Sequence, residues 1–181
     1  MFLILLGLGL WIVPHFWKRL APAHRASFGD KGKLVVTIAS FVAILCMILG
    51  YRSADFIAIW SPPAFLTHIN NLMMLAAFFL IGMSATTGRL RGKMRHPMMA
   101  AAIVWSIAHL LVNGDLAAIV LFGGMLAWAI GTIILINRAE PEWDRPEPGK
   151  ASKDVLLVVI TLVTFAIAAA IHIALGVSPF G

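Results

Sequence analysis

The sequence predicts an all-α fold: a polytopic transmembrane helical bundle of about six spans, with both termini on the outer, periplasmic side. Three observations carry that reading. Of 181 residues, 61% are hydrophobic and only 12% charged, with a mean hydropathy of +0.94. An average soluble domain is about 45–50% apolar and about 25% charged, so an ordinary soluble domain is excluded, and disorder needs the opposite balance. Apolar runs of about span length occur six times. The basic residues, finally, fall on alternate loops.

The first run, Phe2–Trp17, reads as a retained helix rather than a secretory signal. It lacks a basic leading region and a small-x-small cleavage site before Lys18-Arg19. Leu34–Tyr51 is the second run. Ser61-Pro62-Pro63 breaks the chain ahead of the third, Ile69–Ser84. The fourth, Pro97–Val112, opens on a proline, whose missing N–H is no loss in a first helical turn. Asn113-Gly114-Asp115 predicts a tight turn with Asp115 as the N-cap of the fifth run, Leu116–Ile136. The fourth and fifth spans are therefore expected to pair as an antiparallel hairpin. Residues 139–154, with Pro141, Pro146 and Pro148, read as a mobile polar linker on the cytoplasmic side, and 155–175 is the last span. Residues 1–181 are expected to form a single integral-membrane domain.

Charge fixes the orientation. Lys18, Arg19, Arg25, Lys31 and Lys33 follow the first span; Arg89, Arg91, Lys93 and Arg95 follow the third; Arg138, Arg145, Lys150 and Lys153 follow the fifth. Only Arg52 lies on the other side, so the basic loops are cytoplasmic by the positive-inside rule. The net charge of +6 is thus a topology signal, and no nucleic-acid partner is expected. One cysteine, Cys46, allows neither an intrachain disulfide nor a thiolate metal site.

Ionisable residues at membrane depth are costly and mark function, which makes the six histidines informative. His24 and His96 belong at the cytoplasmic edge and His15 near the inner end of the first span. His109 lies about 20 Å above His96 at the helical rise; His172 is similarly high, and His68 opens the third span from outside. An outer cluster of His68, His109 and His172 follows, with Asn71, Asn113 and Asp115 nearby. Neutral imidazole is a good axial ligand for haem iron, and Trp105, Phe78 and Met74 would line a b-haem slot. The alternative for each histidine is a hydrogen bond to a neighbouring helix or a place among headgroups. Arg89, Arg91, Lys93, Arg95 and His96 form a basic flank that sets topology and touches anionic lipid. It could also hold an anionic headgroup or cofactor at the helix start.

Other features read as structural. Gly123, Ala127 and Gly131, spaced by four, and the alanines at 166 and 168–170 are expected to admit a neighbouring helix closely. Trp17, Trp60 and Trp143 suit an interfacial belt, with Trp11, Trp105 and Trp128 deeper. The sequence holds no phosphate-binding loop, dinucleotide fingerprint, zinc-protease helix or nucleophile elbow.

Arg95-His96-Pro97-Met98, then Trp105-Ser106-Ile107-Ala108-His109-Leu110-Leu111-Val112-Asn113-Gly114-Asp115, resembles the signature of the NnrU family. Leu121-Phe122-Gly123 and Ala127-Trp128-Ala129 match as well. His15 with Arg19-Leu20 and Ala21-Pro22 is similar to that family's first-span pattern. The resemblance covers about residues 1–138; the tail from Glu140 is uninformative. It implies a multi-pass protein of the bacterial inner membrane, associated with denitrification and nitrogen-oxide metabolism. That family is in turn similar to zeta-carotene isomerase, which holds haem b between two histidines. Carried over, the ligands fall on His109 and His15, while depth favours His172 as the partner; Ser106 stands where the isomerase has a nearby cysteine.

The expected function is redox or isomerase-like chemistry on a nitrogen-oxide-related or lipophilic substrate, with haem b as cofactor. Whether the chain is an enzyme stays open. Expected partners are membrane lipids, a lipophilic substrate, and another membrane protein or a second copy. One alternative is a non-catalytic accessory or assembly subunit of a respiratory complex. Another is a methyltransferase of the isoprenylcysteine type, which Arg95-His96-Pro97 also resembles, with S-adenosylmethionine held at Arg95 and His96. There the family's Tyr-x-Gly is replaced by Met99-Ala100-Ala101, and only Glu140 and Glu142 remain of its later glutamates.

Overall fold

A computed structural model describes residues 1–180. It is helical throughout: α1 (Phe2–Leu20), α2 (Pro22–Ser27), α3 (Gly29–Arg52), α4 (Leu66–Ala85), α5 (Pro97–Val112), α6 (Leu116–Ala139) and α7 (Ala151–Ala174), with a 3₁₀ turn at Leu90–Lys93. The described residues contain no strand, only an isolated antiparallel bridge between Ala58 and Asp115. Every apolar run of the sequence lies within a helix. Five helices are long and apolar enough to cross a membrane: α1, α3, α4, α6 and α7. The remaining candidate, α5, has 16 residues, about 24 Å at 1.5 Å per residue. Proline at its first position and the extended backbone of Asn113 behind it bound that length. Phe41, Leu45 and Leu162 stand 67%, 59% and 54% exposed. Apolar side chains bared in such numbers belong against lipid, and the chain is a membrane protein.

The chain divides into two compact units. Met1–Ser61 with Gly114–Pro141 forms the first, and Pro62–Asn113 with the residues from Glu142 onward forms the second. In the first unit α1 packs on α3 and on α6. Glycine permits the α1–α3 approach: a Cβ at Gly7 would stand 2.8 Å from the Ala43 carbonyl, and one at Gly50 would stand 2.8 Å from the Ile4 amide. On the α6 side, Leu8 fills the notch at Gly124, and Phe16 reaches Gly131. The core gathers Ile4, Leu8, Ala43, Met47, Leu121, Phe122, Met125 and Trp128. Asp115 caps α6 as expected, its carboxylate accepting from the Ala118 amide at 2.9 Å. The loop before α4 is sewn to that cap: the Ile59 and Trp60 amides donate to the Gly114 carbonyl, and the Leu116 amide donates to Ile57.

In the second unit α4 is the centre, packed on α5 and on α7. Gly82 receives the side chain of Leu157, which is fully buried. The Asp154 carboxylate, in the first turn of α7, accepts from the Arg89 and Leu90 amides at 3.2 Å each and so holds the 3₁₀ turn.

Four expectations need correction. The tight turn expected at Asn113-Gly114-Asp115 is instead extended backbone at Asn113 and at Asp115. The basic loop after α1 contains a helix of its own, α2, started by Pro22 at its first position. The polar linker 139–154 is helical at its ends, and residues 140–150 lack regular structure yet are packed: Pro146 lies on Gly92, and Gly149 on the Thr87 carbonyl, where no side chain would fit. Glu140, just past α6, pairs with Arg19 at 2.5 Å. Close approach on α6 falls at Gly124 and Gly131; Gly123 faces open space and Ala127 is exposed.

Candidate functional site

Helical spacing sets the geometry around the histidines. A side chain leans back over the turn before it, so residue i meets i−4. At His109 the ring Nδ1 donates to the Trp105 carbonyl at 2.9 Å, and the two rings lie 5.1 Å apart, tilted by 52°. Asn113 donates to the His109 carbonyl at 2.8 Å, closing the end of α5. With its proton assigned to Nδ1 by that partner, the ring presents Nε2 as its basic, metal-binding nitrogen.

The same device recurs at two other helices. On α7, His172 Nδ1 donates to Ala168 at 2.7 Å. His109 and His172 belong to the same unit. On α1, His15 Nδ1 donates to Trp11 at 2.6 Å. Its ring stacks on Trp11 at 4.5 Å and meets the edge of Trp128 at 5.5 Å. The indole N–H groups of Trp11 and Trp128 are buried with no acceptor. The first unit therefore sets an imidazole beside two unanswered donors. Trp11 and Trp128 were not foreseen around His15, although Trp11-x-x-x-His15 repeats the spacing of Trp105-x-x-x-His109.

The remaining predicted residues divide between the units. His68 is exposed in the first turn of α4, and among the described residues no three His, Cys, Asp or Glu side chains gather as a metal site. The expected outer cluster of His68, His109 and His172 does not form a three-residue metal site among the described residues. Ser106 is fully buried, with its hydroxyl unanswered, as is the Asn70 carbonyl oxygen on the packed partner α4. Arg95 donates to the Glu142 carbonyl at 3.2 Å, and His96 precedes α5 as its cap, its carbonyl receiving the Ala100 amide at 2.9 Å. His24 is engaged elsewhere, accepting from the Trp17 indole at 3.0 Å.

The larger of two grooves, about 500 Å³, lies between α4 and α7. Leu72, Leu75, Phe79, Val158 and Leu162 line it, with Thr161 its one polar residue. Its walls suit a hydrocarbon chain, and no histidine lines it. The donor set does fit a haem. Axial histidines hold their second ring N–H on a carbonyl or carboxylate, which fixes the ring and strengthens the ligating nitrogen. Bis-histidine ligation takes two such nitrogens, and His109, His172 and His15 all carry that anchor.

The family described as NnrU protein matches residues 3–179, well past the 1–138 expected from the motifs. No curated protein and no solved structure matches the chain.

Proposed function

The chain belongs to the NnrU family, and from that premise we propose that it holds haem b in the bacterial inner membrane through His109. The chemistry it serves is redox or isomerase-like, on a nitrogen-oxide-related or lipophilic substrate. One observation carries the reading: the Trp105 carbonyl holds Nδ1 of His109 at 2.9 Å, orienting Nε2 as a ligand from a helix otherwise built of apolar residues. His172, anchored in the same way and in the same unit, is the second ligand; the family resemblance offers His15 instead. When bound, the haem supplies a one-electron couple whose potential follows its axial ligands. The protein's part is to orient the ligand nitrogens and to exclude water. Protein made in haem-replete cells and purified in detergent shows a Soret band and a reduced-minus-oxidised α band. A colourless preparation overturns the proposal.

The accompanying topology has α5 as a sixth span, both termini periplasmic and the basic loops cytoplasmic. Reporter fusions at Arg91 and at the C-terminus then give opposite signals; the same signal from both removes this topology. The S-adenosylmethionine reading gains support from the bond joining Arg95 of the Arg-His-Pro turn to the Glu142 segment. Titration calorimetry without heat on adding that cofactor eliminates it.

A further inference from the structure

A second groove, about 330 Å³, lies within the first unit at the basic ends of α1 and α3. Pro14, His15 and Lys18 come from α1, Arg25 from α2, and Lys33, Val36 and Thr37 from α3. Basic residues that serve only to orient a membrane protein need no shared cavity; any place on the correct loop suffices. Here cations from three successive helices line one space, because α2 folds the loop back between the spans.

The positive charge in this groove is poorly matched. The only carboxylate paired with it is Asp30, which accepts from Lys33 at 2.8 Å with both side chains largely exposed, a pairing worth little in water. Lys18 has no hydrogen-bond or ion-pair partner among the described residues. Arg25 meets no carboxylate either. Its guanidinium donates to the Gly29 carbonyl at 3.1 Å and lies over the Trp17 ring at 5.5 Å. It crosses Gly32, where a side chain would occupy the same room. The arginine is thus positioned by a carbonyl, an aromatic face and a glycine, none of which neutralises it. Pro14 and Val36 give the groove apolar wall as well.

Uncompensated cations beside apolar wall, at the ends of two spans, suit a phosphate carried on an amphiphile. A planar fork and two ammonium groups supply donors for its oxygens. We propose that this groove binds a phosphate-bearing anion, the headgroup of an anionic membrane lipid, through Lys18, Arg25 and Lys33. The site is separate from a haem held by His109 and His172, while His15, the alternative ligand, lines its wall.

The test uses the full chain in detergent, titrated with phosphatidylglycerol or phosphatidylcholine and read by native mass spectrometry. Phosphatidylglycerol is retained in preference to the zwitterionic lipid. Each lysine near an anionic headgroup is worth about fivefold. Lys18→Gln with Lys33→Gln, both exposed, therefore weakens retention roughly 10- to 30-fold without moving the thermal unfolding midpoint. Lys31→Gln with Lys153→Gln removes the same charge outside the groove and changes retention less than about twofold. Displacement by millimolar inorganic phosphate identifies phosphate alone as sufficient; resistance shows that the lipid chain contributes. Equal loss in the two double variants, or no preference between the lipids, overturns the proposal.

Discussion

Where α1 crosses α3, glycines bring helix against backbone. Where α4 meets α7, a glycine receives a leucine side chain instead. Gly7 and Gly50 face the Ala43 carbonyl and the Ile4 amide, groups that cannot move without the helix, whereas Gly82 faces the end of Leu157. Without water to drive helices together inside a bilayer, association rests on such close fits. The contrast separates a rigid crossing from a yielding one. It extends to the histidines: His15 is packed between Trp11 and Trp128, while His109 meets the tilted indole of Trp105.

The sharpest way to test the contrast is at the histidines. His109→Ala is expected to abolish the Soret band, and His172→Ala to convert a six-coordinate low-spin spectrum to a high-spin one. His15→Ala leaves the spectrum unchanged; if it is the variant that turns high-spin, the ligand assignment passes to His15. Next comes packing. Gly7→Ala sets a methyl against backbone and should lower stability by about 1–3 kcal/mol in detergent unfolding. Gly82→Ala, whose neighbour can change rotamer, should cost under about 1 kcal/mol; equal losses would erase the distinction between the crossings. Smallest is Gly123→Ala, facing open space, expected within about 0.5 kcal/mol of the parent by the same measurement.

The helices were legible because each depends on its own residues. Pro97 and Asp115 mark starts that the structure reproduces, and the six apolar runs needed only composition. Helix pairing was not legible. Asn113-Gly114-Asp115 carries the composition of a turn, yet Asn113 and Asp115 are extended, because the Gly114 carbonyl and the Leu116 amide are taken up by the loop at Ile57–Trp60. The four-residue spacing of Gly123, Ala127 and Gly131 suggested the packing face, yet Gly124, one position on, receives Leu8; an apolar helix offers little polar contrast to reveal its phase. At the candidate site, His109 and Trp105 were readable from spacing. The contact of Pro146 with Gly92 joins residues too distant in sequence for any local pattern to announce it.

The helix that carries His109 is also the short one. Its length of about 24 Å falls roughly 6 Å below the hydrocarbon thickness of an ordinary bilayer. If α5 is the sixth span proposed above, local thinning of the lipid around it is one way to relieve the hydrophobic mismatch. His109 lies three residues before the last residue of that helix, so thinning draws the aqueous boundary toward the imidazole. A thicker bilayer would increase the strain on this segment first. Acyl-chain length is thus a dial on the environment of His109 that leaves every residue in place.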